Sequence, residues 1–366
     1  MKHLIFLIDG TWMTPTKIDD SNTMTNIYKM NLLLWNAKAR DGNDQIIFYT
    51  RGLGANSSLL RFPSGGFAWG IKETIEDVYM NIASNYWSCA EEKKSDKIYL
   101  FGFSRGAVIA RVVAGLVGEV GLLKPEHADS FPEIWKHYKH RIPIESRKKK
   151  FLCQPDAQIE FLGVFDTVYG GNKSGEAMEK SLQFTGKKLS NKVKNAVHIL
   201  SIDEQRPFFS PILWEDSEDH PNLQQIWMPG VHGDIGGCYP SNFFGLVSLL
   251  TMSELITKNT EILLDEELNK MYRDSLTKLS KTINNEWSRG WHFASLANKR
   301  YLLGRLPFMP AKNRLPIKSG TKQIRHPIID YIQQSNIKTE IRGVAVKYSF
   351  PSEFMALPTM ELEFLR

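Results

Sequence analysis

Apolar residues along this chain form short continuous runs that alternate with longer amphipathic segments. A short apolar run rich in β-branched and aromatic residues is typical of a parallel strand that is buried on both faces. Apolar residues three and four positions apart are typical of a helix that buries one face. Strands are predicted at residues 4–8, 45–49, 98–101, 159–165, 197–202 and 223–228. Helices are predicted within residues 22–36 and at residues 70–86, 108–117, 243–257 and 263–283.

This alternation predicts an α/β fold with a mostly parallel central sheet and helices on both of its faces. Residues 124–150 are polar and basic, and we expect them to form a helical excursion from the sheet. We predict a catalytic core over residues 1–245. The C-terminal residues 246–366 are expected to form a helical and irregular region that packs on the core or caps its site.

A serine lies between the third predicted strand and the helix that follows it. The pattern is Gly102-x-Ser104-x-Gly106, which is typical of the nucleophile elbow of α/β-hydrolases. A glycine-rich turn without chemistry would match the same three residues. The apolar strand before the serine and the apolar helix after it favour the nucleophile, because the helix directs its N-terminal N–H groups toward charge that develops there.

A serine nucleophile needs a base and an acid that orients the base, and hydrolases supply both from the ends of later strands. His232 is the predicted base, because it follows the last predicted strand in a glycine-rich turn. Two aspartates are candidates for the acid. A common hydrolase layout favours Asp203, whereas some lipases use the position of Asp166. We favour Asp166, because an isolated carboxylate beside an apolar strand is costly to bury unless it is paired.

The oxyanion hole is predicted to use the backbone N–H of Arg105, next to the nucleophile. A second donor is expected from Gly10 and Thr11, which follow the first strand. Two further strand-end carboxylates, Asp9 and Asp234, have no part in this scheme. They are expected to bind a metal, to pair with a nearby arginine, or to make structural hydrogen bonds.

Composition limits the environment in which this 366-residue chain works. Its three cysteines are widely spaced and form no C-x-x-C pair, which favours a reducing compartment without disulfides or structural zinc. No cofactor is expected. Neither a signal peptide nor a membrane-spanning apolar stretch is found, so cytoplasmic synthesis is predicted, with export by a route that needs no signal peptide left open.

The formal net charge is +6, and basic residues cluster at 147–150 and within 187–194. Such clusters suit peripheral contact with an anionic phospholipid surface, although a solvated basic face is an equally good interpretation of each cluster alone. No zinc-finger, RNP or helix-turn-helix pattern is present, so no nucleic-acid partner is expected.

Four sequence blocks together resemble one family, the uncharacterised α/β-hydrolase domain family that includes the class-one phospholipase effectors of type VI secretion. The blocks are FLIDGTW at residues 6–12, GFSRGAVIAR at 102–111, GVFDTV at 163–168 and PGVHGDIGG at 229–237. The resemblance implies an α/β-hydrolase fold and an esterase in which Ser104 is the nucleophile, Asp166 the acid and His232 the base. It also implies phospholipids or other acyl esters as substrates and, for an effector, a secretion or immunity partner.

Three hypotheses about function follow from these patterns. The first is a serine esterase, most simply a phospholipase A-type lipid hydrolase. The second is a metal-dependent phosphoesterase that uses Asp9, Asp166 and Asp234, with His232 as a further ligand. The third is a hydrolase fold that has lost catalysis and serves as a binding module, which the retention of a full serine, aspartate and histidine set argues against.

Overall fold

The strands of the protein, seen in a computed structural model, form one parallel sheet with two small hairpins beside it. The structure describes residues 1–10, 24–35, 38–52, 66–89, 92, 94–155, 157–170, 188–206, 209–215, 218–239, 243–290, 314–316, 321–334, 338–341, 344–347 and 349–365. The strands in these ranges are β1 (Lys2–Ile8), β2 (Asp44–Thr50), β3 (Ser88–Cys89), β4 (Lys94–Ser95), β5 (Lys97–Phe103), β6 (Ile159–Phe165), β7 (Val193–Ser201), β8 (Leu223–Met228), β9 (Gln323–Arg325), β10 (Lys338–Ile341) and β11 (Val344–Lys347).

The central sheet has the order β2-β1-β5-β6-β7-β8-β9, and every neighbouring pair is parallel. The chain runs from β1 outward to β2 and then crosses back to place β5 on the other side of β1. This reversal creates a crevice at the carboxyl ends of β1 and β5, where open α/β sheets hold their ligands. The predicted α/β architecture with a parallel central sheet is confirmed.

Helices cover both faces of this sheet. Their bounds are α1 (Asn26–Leu34), α2 (Gly66–Asn85), α3 (Arg105–Gly115), α4 (Phe131–His140), α5 (Ser146–Leu152), α6 (His232–Ile235), α7 (Phe243–Asn259), α8 (Glu266–Gly290), α9 (Ile328–Gln334) and α10 (Ser352–Met355). The predicted strands and helices are present, and residues 124–150 form the expected helical excursion. Strand β7 begins at Val193, earlier than residue 197, because its first residues pair with the start of β6.

Alternation along β1 shows why a continuous apolar run was the correct signal for a strand. Leu4 and Phe6 belong to the core on one face of the sheet, with α2 and α3. Ile5 and Leu7 belong to the core on the other face, with α1 and α7. Successive side chains of a strand point to opposite faces, so a sheet covered twice requires apolar residues at every position.

The C-terminal part of the chain contributes a helix and a strand to the core. Helix α7 begins at Phe243 and is buried almost all round. Strand β9 extends the central sheet beside β8. Among the described residues, no helix is long and apolar enough to cross a membrane.

Candidate active site

Ser104 lies at the tip of the turn between β5 and α3. Its backbone has φ 59° and ψ −121°, a left-handed conformation that L-residues rarely adopt. The flanking glycines are required by close backbone approaches. A Cβ at Gly102 would overlap the carbonyl of Gly106, and a Cβ at Gly106 would overlap the carbonyl of Ile8. The G-x-S-x-G pattern therefore forms the sharp turn that the sequence predicted.

His232 follows β8 and opens the short helix α6. Its Nε2 lies 3.0 Å from Ser104 Oγ, and its Nδ1 lies 2.7 Å from Asp166 Oδ2. The ring is packed between Phe103, with 4.7 Å between ring centroids, and Phe209, at 4.9 Å. These two aromatic contacts and two hydrogen bonds together hold the imidazole in position.

Asp166 follows β6 and is completely buried. Its backbone also has a positive φ of 38°. Besides His232, the carboxylate accepts a hydrogen bond from the backbone N–H of Ser201 at 3.1 Å. Burial alone would raise the pKa of Asp166, but the guanidinium of Arg314 and the hydrogen bond from His232 outweigh it and hold the pKa well below the usual range.

Asp203, the alternative acid, lies elsewhere in the structure. Its Oδ2 accepts the backbone N–H of Gly230 at 2.7 Å, and its own N–H donates to the Gly230 carbonyl at 3.1 Å. It therefore ties the end of β7 to the turn before His232. The Nδ1 of His232 contacts Asp166, which is the arrangement that the resemblance implies.

Gly10, which was expected to contribute to the oxyanion hole, has a local acceptor for its backbone N–H. Its backbone N–H donates to Asp9 Oδ1 at 2.7 Å, so that N–H is already committed to its own neighbour. Thr11, the partner of Gly10 in the predicted oxyanion hole, lies outside the described residues. The backbone N–H of Arg105 lies in the first turn of α3, directly after Ser104.

Asp9 and Asp234 each have a local structural role. Oδ2 of Asp9 accepts hydrogen bonds of 2.7 Å from the hydroxyls of Thr25 and Tyr49. Oδ2 of Asp234 accepts the N–H of Val231 at 2.9 Å and thereby braces the turn that carries His232. Burial raises the pKa of Asp9 to about 6 and that of Asp234 to about 7, and the negative charges of Asp203 and Glu204 add to the rise at Asp234.

These contacts bear on the phosphoesterase hypothesis. The carboxylates of Asp9, Asp166 and Asp234 are directed to different partners and do not converge on a shared point. Within the described ranges, no three histidine, cysteine, aspartate or glutamate side chains are grouped so that they could hold a metal ion. The donor set expected for a metal centre is therefore not assembled by these residues.

Two groups near His232 were missed by the sequence analysis. Arg314 donates to both oxygens of Asp166, at 2.6 and 3.1 Å. Glu204 Oε2 accepts the backbone N–H of His232 at 3.3 Å and is paired with Arg206 at 2.7 Å. Glu204 lies beside the predicted Asp203, so its strand-end position was a usable signal. No comparable signal marks Arg314.

Burial of His232 favours a neutral imidazole at rest. Burial lowers the pKa of His232, and the hydrogen bond and negative charge of Asp166 act in the opposite direction. A base must be neutral to accept a proton from a serine hydroxyl. The chain from Ser104 through His232 to Asp166 can therefore move a proton from the hydroxyl and stabilise the imidazolium that results.

The two basic clusters predicted from sequence lie at the opposite end of the sheet. Lys149 of one cluster and Lys188 of the other line a common groove with Gly118 and Arg141. This groove lies where β7 begins and where the segment after α3 ends, at the amino edge of the sheet. A strand of seven residues spans ~23 Å, so the groove and Ser104 lie at opposite ends of the sheet, separated by about that distance.

The chain was then compared with known proteins. The family model described as "T6SS, Phospholipase effector Tle1-like, catalytic domain" matches residues 2–257. An uncharacterized protein of Saccharomyces cerevisiae is 28% identical over 249 residues, which cover 61% of this chain and 34% of the yeast protein.

This chain also aligns with two solved structures. An uncharacterized protein from Pseudomonas aeruginosa aligns over 84% of this chain and 56% of its own, with 17% identity and a TM-score of 0.45. The Tle1 effector, solved bound to the VgrG spike of the type 6 secretion system, aligns over 65% of this chain and 51% of its own, with 20% identity and a TM-score of 0.33. The chain thus spans about a third of the yeast relative and about half of each solved chain.

Proposed function

This chain belongs to the family of type VI secretion Tle1-like phospholipase catalytic domains, and from that premise we propose that it is a serine esterase that cleaves acyl esters of phospholipids. The observation that carries the proposal is the continuous hydrogen-bonded chain of Ser104, His232 and Asp166 at the carboxyl edge of the sheet. The family supports the lipid substrate, and the chain of contacts supports the serine mechanism.

In the proposed reaction, Ser104 Oγ attacks the ester carbonyl while His232 Nε2 accepts the hydroxyl proton. The ester carbon becomes tetrahedral, and its oxygen gains the negative charge. His232 then gives the proton to the departing glycerol oxygen, which leaves a fatty acyl group on Ser104. Water attacks this acyl-serine by the same steps and releases the fatty acid.

Asp166 and Arg105 assist this reaction in different ways. Asp166 accepts the Nδ1–H of His232 and so selects the tautomer whose Nε2 is free to take the serine proton. The backbone N–H of Arg105, at the start of α3, is our candidate for one donor to the oxyanion. We do not include Gly10, because its N–H is held by Asp9.

Membrane contact through the basic clusters is not part of this proposal. Their shared groove is at the amino edge of the sheet, whereas Ser104 is at the carboxyl edge. An ester that reacts with Ser104 must reach the carboxyl edge. The lipid is therefore expected to approach the carboxyl edge.

The test is hydrolysis of vesicles of phosphatidylethanolamine and phosphatidylglycerol by the purified protein, with products resolved by mass spectrometry. We expect free fatty acid and lysophospholipid, lost in Ser104→Ala and unaffected by EDTA. Ser253→Ala is the matched control, because it removes another buried serine hydroxyl, from helix α7. Hydrolysis that persisted in Ser104→Ala would refute the mechanism. Turnover of soluble esters alone would refute the phospholipid substrate.

A further inference from the structure

Arg314 contacts both carboxylate oxygens of Asp166, the proposed acid, although the two residues are far apart in sequence. It is 148 positions beyond Asp166 and outside the segment of residues 2–257 that matches the family. Its side chain is 4% exposed. Nη1 lies 2.6 Å from Asp166 Oδ1, and Nη2 lies 3.1 Å from Oδ2. A buried, two-pronged pair of this kind is among the strongest charged contacts in proteins.

Other acceptors hold the guanidinium in place. Nη1 also donates to the carbonyl oxygen of Ser201 at 2.9 Å, and Nη2 donates to the carbonyl oxygen of Phe209. Phe209 is the same residue whose ring packs on His232. The guanidinium therefore connects three parts of the site: the Asp166 carboxylate, the end of β7, and the loop whose Phe209 ring packs on the imidazole.

Arg314 and His232 share one oxygen of Asp166. Oδ2 accepts from His232 Nδ1 at 2.7 Å and from Arg314 Nη2 at 3.1 Å. The Nδ1 of the imidazolium that forms during turnover would therefore lie within ~6 Å of Nη2 of the guanidinium, which is charged throughout. Asp166 and Glu204 favour the imidazolium, and Arg206 and Arg314 oppose it. Arg314 thus takes part of the carboxylate charge that His232 would otherwise receive.

We propose that Arg314 is a positioning residue that holds the Asp166 carboxylate in line with His232 and shares its charge, so that a segment beyond the family domain completes the site. This inference rests on the proposed serine mechanism. It also explains how a carboxylate with a strained backbone can be fully buried, because the guanidinium of Arg314 balances its charge.

The experiment compares Arg314→Gln, which removes the charge, with Arg314→Lys, which keeps the charge but loses the planar fork. Arg325→Gln is the matched control. Arg325 also lies in the C-terminal part of the chain. Its guanidinium donates to the carbonyl oxygen of Leu357 and pairs with Asp330, and it does not contact Asp166. The measurements are kcat/KM for a short soluble ester from pH 4 to 9, thermal unfolding, and the histidine NMR titration of the full-length protein.

In Arg314→Gln we expect the acidic limb of kcat/KM to move up by about 1 to 2 pH units and kcat at the optimum to fall about 10- to 100-fold. Arg314→Lys should shift the limb by less than about half a unit, because the charge remains. Arg325→Gln should lose thermal stability but keep the wild-type pH profile. A folded Arg314→Gln with an unchanged acidic limb and kcat within twofold of wild type would overturn the inference.

Two alternative measurements apply if Arg314→Gln is inactive or does not fold. Should Arg314→Gln turn over too slowly to measure, the NMR titration of His232 replaces the kinetic limb, with the signal assigned from His232→Gln. Should it fail to fold, Arg314→Lys decides: a wild-type kcat there would contradict the need for the fork. Failure of the proposed function is distinguishable, because wild type itself would then be inactive on esters or equally active as Ser104→Ala.

Discussion

Replacing Asp166 by asparagine separates the two candidate acids and tests the network that surrounds them. The carboxylate accepts hydrogen bonds from His232, Ser201 and both terminal nitrogens of Arg314. An asparagine has one acceptor oxygen and one donor group at these positions. Whichever way it is oriented, its NH₂ group must face a donor, either the imidazole or the guanidinium.

The expected cost can be worked out from these contacts. Arg314 would remain buried without its counter-charge, which lowers the free energy of unfolding by about 3 to 5 kcal/mol. His232 would lose the acceptor that selects its tautomer and stabilises the imidazolium. In a serine hydrolase this loss lowers kcat by about 10³- to 10⁴-fold, or roughly 4 to 5.5 kcal/mol in the activation barrier.

The assay is steady-state hydrolysis of a short ester at 15 °C, with urea unfolding measured on the same preparations. Asp203→Asn is the matched control, because an amide oxygen can still accept the Gly230 N–H. It should keep kcat within about threefold and change stability by less than about 1 kcal/mol. The double variant Asp166→Asn with Arg314→Gln should regain stability but not activity. The reasoning is refuted if Asp203→Asn loses activity as Asp166→Asn does, or if folded Asp166→Asn keeps kcat within tenfold.

Three further predictions concern the turns that carry the site. Ser104→Gly should have a free energy of unfolding about 1 kcal/mol higher than Ser104→Ala, and a higher melting temperature, because glycine adopts the backbone φ of 59° without strain. Equal melting temperatures would argue against strain. Gly106→Ala should cost more than about 2 kcal/mol in urea unfolding and abolish ester hydrolysis, because its Cβ would overlap the Ile8 carbonyl; a stable, active variant would contradict that geometry. Burial raises the pKa of Asp234 to about 7 in the folded state, so its charge should progressively lower stability as the pH rises from ~4 to ~7. Asp234→Asn, which can still accept the Val231 N–H, should therefore lessen the loss of unfolding free energy between pH 5 and pH 8, and an unchanged loss would show that another group is responsible.

The sheet and the elbow could be predicted because their determinants are local. Each predicted apolar run became a strand of the central sheet. The turn at Ser104 requires glycine at positions 102 and 106, because a Cβ at either position would overlap nearby backbone atoms. Both glycines lie within two residues of the serine, so the requirement is visible in the local sequence. His232 could be found for the same reason, since it lies at a strand end within a glycine-rich turn.

The partners of these groups could not be predicted, because they depend on contacts between distant segments. Asp166 and Asp203 both follow strands, and only the register of β6 and β7 against β8 decides which one meets the imidazole. Arg314 lies in a segment without apolar periodicity, so nothing near it in sequence indicates a buried ion pair. Gly10 was expected to donate to an oxyanion, but its N–H is within reach of the Asp9 side chain, a local alternative that strand-end reasoning overlooks.

The most direct test of the account is covalent labelling of the folded, full-length protein with a fluorophosphonate, followed by intact-mass and peptide mass spectrometry. The account predicts one adduct per chain on Ser104, absent from Ser104→Ala, and formed much more slowly in His232→Gln because the serine then has no base. A folded protein that took up no label, or that carried the adduct on another residue, would contradict the claim that Ser104 is an activated nucleophile.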